Sequence, residues 1–225
     1  MLVVHHLNNS RSQRVLWLLE ELGLPYDIRK YQRNPQTMLA PPELLEVHPL
    51  GKSPVVTDDD GVVLAETGAI VETLLERYGR SRLAPAAGTP EHLRFRYWLH
   101  FAEGSAMPPL LLKLIFERIK VTPMPFFAKP IARGIADRVL AAMVDPNLAR
   151  QLDFMEGELR RSTWFAGDEF SAADILMSFP VEAARQRAGL DGGRPKLMAY
   201  LHRIHERPAY RRALERGGPY DFAKD

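Results

Sequence analysis

Leu2-Val3-Val4-His5-His6-Leu7-Asn8-Asn9-Ser10-Arg11-Ser12-Gln13-Arg14-Val15-Leu16-Trp17-Leu18-Leu19 places two structural periods one after the other. Leu2 to Leu7 is a short run rich in apolar residues, and the polar cluster Asn8, Asn9, Ser10 that follows reads as a turn and a helix cap. Val15, Leu16, Leu18, Leu19 and Leu22 then recur at helical spacing, with Arg14, Glu20 and Glu21 between them and Gly23 where a helix stops. The first unit is therefore a strand followed by a helix. Tyr26 to Tyr31 supplies a second strand, and Pro41, Pro42 and the stretch to Val47 predict a short, irregular helix.

Downstream, Val55 and Val56 lead into Asp58, Asp59, Asp60 and Gly61 and then Val62, Val63 and Leu64, the pattern of a hairpin. Ile70, Val71, Leu74, Leu75 and Tyr78 mark one face of a helix that starts near Thr67 and ends before Gly79. The predicted order over residues 1–80 is βαβαββα. Residues 81–90, with Pro85, Gly88 and Pro90 among small residues, have the composition of an interdomain connection. Residues 91–225 carry only helical patterns, with breaks expected at Pro108/Pro109, Pro123 to Pro130, Pro146 and Gly189 to Pro195, so the second domain is predicted all-α. Two domains also suit a chain of 225 residues.

Composition excludes several functional classes. Apolar residues make up 46% and charged residues 26%, enough to bury a core and too apolar for a disordered chain. The formal net charge is +2 with both signs interspersed, which lacks the basic stripe of a nucleic-acid footprint. No cysteine occurs, so disulfide scaffolds, thiolate metal sites and a protein sulfur nucleophile are out. No run approaches a membrane span and no basic leader precedes an apolar stretch, so the expectation is a cytoplasmic protein without a membrane partner.

Three local motifs make the reading specific: Asn9-Ser10-Arg11-Ser12-Gln13-Arg14, His48-Pro49-Leu50-Gly51-Lys52-Ser53-Pro54-Val55-Val56, and Leu64-Ala65-Glu66-Thr67-Gly68-Ala69-Ile70. Their order and spacing resemble the glutathione transferase superfamily, serine-type bacterial and fungal members in particular. The resemblance implies a thioredoxin-like first domain that binds glutathione as a co-substrate, a helical second domain contributing the electrophile site, and a homodimer. Ser171-Ala172-Ala173-Asp174-Ile175 resembles the family's buried capping sequence; as an S-x-x-D cap before an apolar run it is assigned to folding.

Read from the residues alone, Ser10 is favoured as a helix cap. The resemblance points instead to catalysis, since serine-type members place their catalytic serine four positions before a helix arginine, as Ser10 stands to Arg14; Ser12 is the alternative. The energetics fit. Lowering a thiol two units from about 8.5 takes about 2.7 kcal/mol. A helix terminus gives about 0.3–2 kcal/mol and a hydrogen bond to a charged group about 1.5–3 kcal/mol, so the two together suffice. Arg14 itself reads as a solvated or salt-bridged surface group.

An ordinary trans proline opening a strand is the plain reading of Pro54. The resemblance implies a cis bond, with the Ser53 backbone pairing with the cysteinyl part of glutathione; most relatives carry Val or a similar apolar residue at the position of Ser53. Glu66 and Thr67 read equally as helix start and as receptors for the γ-glutamyl group, and Lys52 matches the family's position near the glycine carboxylate. For the electrophile, Phe101, Met107, Leu111 and Ile115 are the candidates, with Tyr220 or Phe222 from the tail, although residues of these types at helical spacing are commonly plain core. His5, His6 and His100 lack a metal-ligand spacing, so no metal is expected.

The activity implied is conjugation of the glutathione thiolate to apolar electrophiles. The alternatives are glutathione-dependent reduction of peroxides or disulfides, the protein–glutathione disulfide route being disfavoured by the missing cysteine, and a non-catalytic binding or regulatory protein on the same fold. The Pro-rich segment 121–130 has no assigned role.

Overall fold

The computed structural model describes residues 1–79 and 82–223. The predicted boundary at residues 80 and 81 lies outside them. In the first half, β1 (Leu2–Leu7), α1 (Ser12–Leu22), β2 (Tyr26–Tyr31), α2 (Glu43–Val47), β3 (Val55–Thr57), β4 (Val63–Ala65) and α3 (Thr67–Tyr78) follow the predicted order. The sheet order is β2-β1-β3-β4. β1 runs parallel to β2, with Leu2 opposite Tyr26 and Leu7 opposite Tyr31, and antiparallel to β3, with Val4 opposite Val56. Being central, β1 is buried almost throughout, which explains why its apolar residues run together and do not alternate.

Local chemistry sets the element ends. Gly23 takes φ 70°, a left-handed residue that a side chain would strain, and its N–H and that of Leu24 return to the carbonyls of Glu20 and Leu19 to close α1. In the β3–β4 turn, Asp58 Oδ1 accepts from the N–H groups of Asp60 (3.1 Å) and Val62 (3.0 Å), while Gly61 supplies φ 79°.

The second half is helical among its described residues: α4 (Pro90–Phe101), α5 (Met107–Val121), α6 (Lys129–Val139), α7 (Asp145–Arg161), α8 (Ala172–Arg187), α9 (Pro195–His205) and α10 (Pro208–Gly217), then a 3-10 turn at Asp221–Ala223. Two expected breaks are absent. π-Helical turns at Ala102–Ala106 and Leu140–Val144 carry the chain directly from α4 into α5 and from α6 into α7. Pro108/Pro109 and Pro146 then fall in the first turns of α5 and α7, where the wider preceding turn bypasses their missing N–H groups. The breaks near Pro123 to Pro130 and Gly189 to Pro195 are present.

α1 packs against β1 and α3 on one side and against α8 and α10 on the other, so it is buried from Ser12 to Leu19. One apolar core, including Leu16, Trp17, Ile70, Trp98, Phe165 and Leu176, runs through both halves. Arg14 lies in it, fully buried, and is not the surface group its sequence context suggested. It ion-pairs with Glu103 of the first π-turn and donates to the carbonyl of Leu176 in α8 at 2.7 Å, joining the two halves through a paired charge whose Nε finds no hydrogen-bond partner among the described residues. Among the described residues no helix is long and apolar enough to cross a membrane.

Candidate functional site

The turn between β1 and α1 is built on hydroxyls that face inward. Ser12 N–H donates to Ser10 Oγ at 3.2 Å, so Ser10 does the work of a cap although the helix begins at Ser12. Ser10 Oγ and Ser12 Oγ lie 2.7 Å apart, and Ser12 Oγ bonds His6 Nδ1 at 2.8 Å and accepts from Leu7 N at 3.3 Å. Burial, with Lys30 nearby, pushes the His6 imidazole down to about 4, so the ring is neutral at physiological pH. Only 4% of Ser10 is exposed and Ser12 is fully buried.

Between the two serines, Arg11 points the other way. It forms part of the wall of a 290 Å³ cleft together with His48, Lys52, Ser53, Pro54, Glu66, Thr67 and Glu103. It also borders a 510 Å³ cavity walled by Met107, Leu111, Leu114, Ile115, Phe179 and Phe222, and no other described residue borders both. Glu103 Oε2 is 3.0 Å from Arg11 Nε, and its Oε1 ion-pairs with Arg14. Burial opposes ionisation of Glu103, but Arg14 and Arg11 outweigh it and hold the carboxyl below its ordinary range. Burial draws the Arg11 guanidinium somewhat below its own ordinary range, against the pull of Glu103. Arg11 thus presents a guanidinium where cleft and cavity meet, with the carboxylates of Glu103 and Glu66 acting on it and Arg14 behind Glu103.

The three other walls of the cleft are equally specific. Ser53–Pro54 is a cis bond, as the resemblance implied. The side chain of Ser53 has its own use: Oγ donates to the carbonyl of His5 at 2.8 Å and accepts from Leu7 N at 3.2 Å, tying the loop to β1. Glu66 takes φ 67°, a left-handed conformation rare outside glycine and costing of order 1–3 kcal/mol, immediately before α3. Thr67 follows it as the first residue of that helix, its surface buried. Lys52 stands at the loop side of the cleft.

The predicted site residues are thus brought together unevenly. Lys52, Ser53, Pro54, Glu66 and Thr67 line the cleft; Met107, Leu111 and Ile115 line the cavity, with Phe222 from the tail. Ser10 and Ser12 sit behind Arg11, and neither borders the cleft or the cavity. Phe101 packs between Tyr97, Trp98 and Phe154, centroids 5.0–5.9 Å apart, away from the cavity wall. Tyr220 is buried with its hydroxyl on Glu182 at 2.7 Å. Residues 121–130 border neither space. Arg11, Glu103 and Asn9 were not foreseen. Asn9, at φ 49°, donates to Asp221 Oδ2 at 2.7 Å and accepts from Asp221 N at 2.8 Å, pinning the tail beside the cavity. A further cavity of 520 Å³, at the linker and walled by Leu83, Pro85, Asp168 and Phe170 among others, contains none of these residues. Among the described residues no three His, Asp or Glu side chains cluster as a metal site.

Comparison with known proteins identifies the family. Residues 10–77 match the glutathione S-transferase N-terminal domain and residues 122–208 the glutathione S-transferase C-terminal domain. Glutathione S-transferase 3 of Schizosaccharomyces pombe is 35% identical over 96% of this chain and 88% of its own length, and glutathione S-transferase 1 of Saccharomyces cerevisiae is 37% identical over 82% and 81%. The crystal structure of a glutathione S-transferase from Actinobacillus pleuropneumoniae superposes with a TM-score of 0.79 at 32% identity, covering 100% of this chain and 97% of that one. With both of its domains matched and its full length shared with such relatives, the chain belongs to the glutathione S-transferase family.

Proposed function

We propose that this glutathione transferase conjugates the thiolate of glutathione to apolar electrophiles, with the tripeptide in the smaller cleft and the electrophile in the larger cavity. One observation carries the reading: a polar cleft and an apolar cavity meet at a single cation, Arg11. A sulfur at that border stands beside fixed positive charge and within reach of carbon in the cavity, which supplies both ionisation and proximity. The γ-glutamyl end takes Glu66 and Thr67, the cysteinyl part pairs with the Ser53 backbone, and the glycine carboxylate faces Lys52.

Ser10 is proposed as the hydroxyl donor to sulfur, with Ser12 as its support; because neither serine borders the cleft, the reading requires the Arg11 side chain to shift and uncover Ser10 Oγ when glutathione binds. With His6 neutral and its proton on Nδ1, that N–H and the Leu7 N–H both donate to Ser12 Oγ, whose own proton goes to Ser10 Oγ. That assignment leaves the Ser10 proton free to turn toward the thiolate. As the S–H bond breaks its proton passes to water; sulfur then bonds to the electrophilic carbon and the leaving group departs with its electron pair. Arg11 contributes the field and Ser10 the directed hydrogen bond.

Initial rates with an aryl halide, cumene hydroperoxide and hydroxyethyl disulfide test the reading, with the aryl halide expected fastest. Turnover confined to the peroxide would replace conjugation by reduction. No turnover, with no retention on immobilised glutathione, would leave a binding protein. A twofold dimer is proposed as well: Leu93 and Tyr97 of α4 and Phe154 of α7 are exposed apolar residues, and light scattering reads the mass directly.

A further inference from the structure

The electrophile cavity is apolar in its body and basic around it. Arg11, Arg33, Arg118 and Arg187 all border it, from the turn before α1, the loop after β2, the last turn of α5 and the end of α8. Asp221 is the one carboxylate among the bordering residues, and its Oδ2 accepts from Asn9. Arg11 is paired with Glu103. The other three arginines have no carboxylate partner among the described residues. Arg33 donates to the carbonyls of Asn8 (3.3 Å) and Met38 (3.1 Å), and Arg187 lies over the Phe222 ring, 4.9 Å from its centroid.

Arg11, Arg33 and Arg187 also act on one another in sequence. Burial, then the charge of Arg11, draws Arg33 below the ordinary guanidinium range; burial, then Arg33, does the same to Arg187. Like charges gathered beside an apolar wall cost free energy that a bound anion relieves. The planar guanidinium matches the paired oxygens of a carboxylate or sulfonate, and Phe222 beneath Arg187 holds that plane in place.

We propose that the cavity selects anionic electrophiles: an apolar body carrying a carboxylate or sulfonate remote from its reacting carbon, the anion held by Arg187 and Arg118 beside Arg33, the carbon directed at Arg11. This rests on the transferase reading above. The anionic group takes no part in the chemistry. In a chloroarene the sulfur–carbon bond forms, the carbon–chlorine bond breaks, and chloride leaves with the bonding pair.

A matched pair tests it: 4-chloro-3,5-dinitrobenzoate and its methyl ester, each assayed at saturating glutathione and divided by its uncatalysed rate. We expect kcat/KM to favour the benzoate about tenfold, equivalent to about 1.4 kcal/mol. That ratio should fall toward one in Arg187→Gln and, separately, in Arg118→Gln. A wild-type ratio of one or less, or a ratio that both variants leave intact, overturns the proposal. If neither compound turns over, the transferase reading fails by itself, and calorimetric titration of the two presynthesised glutathione conjugates decides the cavity: tighter binding of the carboxylate conjugate upholds anion selection, and equal binding overturns it.

Discussion

Helices α1 and α8 both begin at turns in which a serine caps the first helical residues, and the two starts are put to opposite uses. At α8, Asp174 accepts from Ser171 N (2.9 Å), Ser171 Oγ (3.1 Å) and Phe165 N (2.9 Å), while its own carbonyl takes the Tyr200 hydroxyl at 2.6 Å. The cluster is closed and fully buried. At α1, Ser10 and Ser12 close inward on His6 in the same manner, but the residue between them is left facing two cavities. A capping cluster completed on every side stabilises the fold; one that frees a charged neighbour builds a site. The difference lies in where the charged side chain of each turn is directed, since Asp174 is turned inward onto Ser171 and Phe165 and Arg11 faces the cleft and the cavity.

The comparison can be broken by removing the closed cluster. Asp174→Ala leaves two buried backbone donors without an acceptor, at about 1–3 kcal/mol each, so denaturant unfolding should show a loss of about 4 kcal/mol at pH 7. A loss under 1 kcal/mol would mean that water or a rearranged turn replaces the carboxylate.

Titration sharpens it further, because the two starts respond to acid with opposite signs. Burial pushes the Asp174 carboxyl up to about 6 from 3.8, against its hydrogen bonds, so the native state binds this proton first and stability rises as pH falls from about 6 to 3.8. The His6 imidazole is pushed down to about 4 from 6.5, so the unfolded state binds that proton first and stability falls over nearly the same window. Each contribution is about 3 kcal/mol, and they offset. Relative to wild type, Asp174→Asn should become less stable on acidification from pH 6 to 4 and His6→Gln more stable, as read by urea midpoints at several pH values. Parallel curves for all three proteins would refute the assignment.

The smallest effects concern the open start. Arg11→Gln should lower conjugation kcat/KM about a hundredfold, in the range for losing one preorganised electrostatic donor, and Ser10→Ala about tenfold. Both should raise the thiol pKa of bound glutathione, followed by thiolate absorbance. The reverse ranking would return the main role to the hydroxyl, and an unchanged pKa in both would move ionisation to backbone N–H groups.

Much of this was legible locally. The strand-turn-helix opening, the Asp58–Gly61 hairpin turn, the stop at Gly23 and the Ser171–Asp174 cap each depend on residues within a few positions of one another, and each is found where the pattern placed it. The cleft residues Lys52, Ser53, Pro54, Glu66 and Thr67 were legible through resemblance to a family. Pro108 and Pro146 misled because a proline breaks a regular α-helix, and no local signal announced the π-turns that accommodate them. Phe101 misled because helical spacing shows that a ring is buried without showing what it is buried against.

The amino-acid sequence by itself determined the order of elements, the two-part organisation, the turn and cap positions and the family, since periodicity, backbone preference and motif spacing are short-range properties. Tertiary structure alone decided that Arg14 is an interior tie, that Glu103 arrives from another helix to pair with Arg11, and that Arg11 and not the flanking serines faces both cavities. Those outcomes depend on which distant surfaces meet, because a side chain's charge and exposure are set by neighbours that can lie ninety or more residues away.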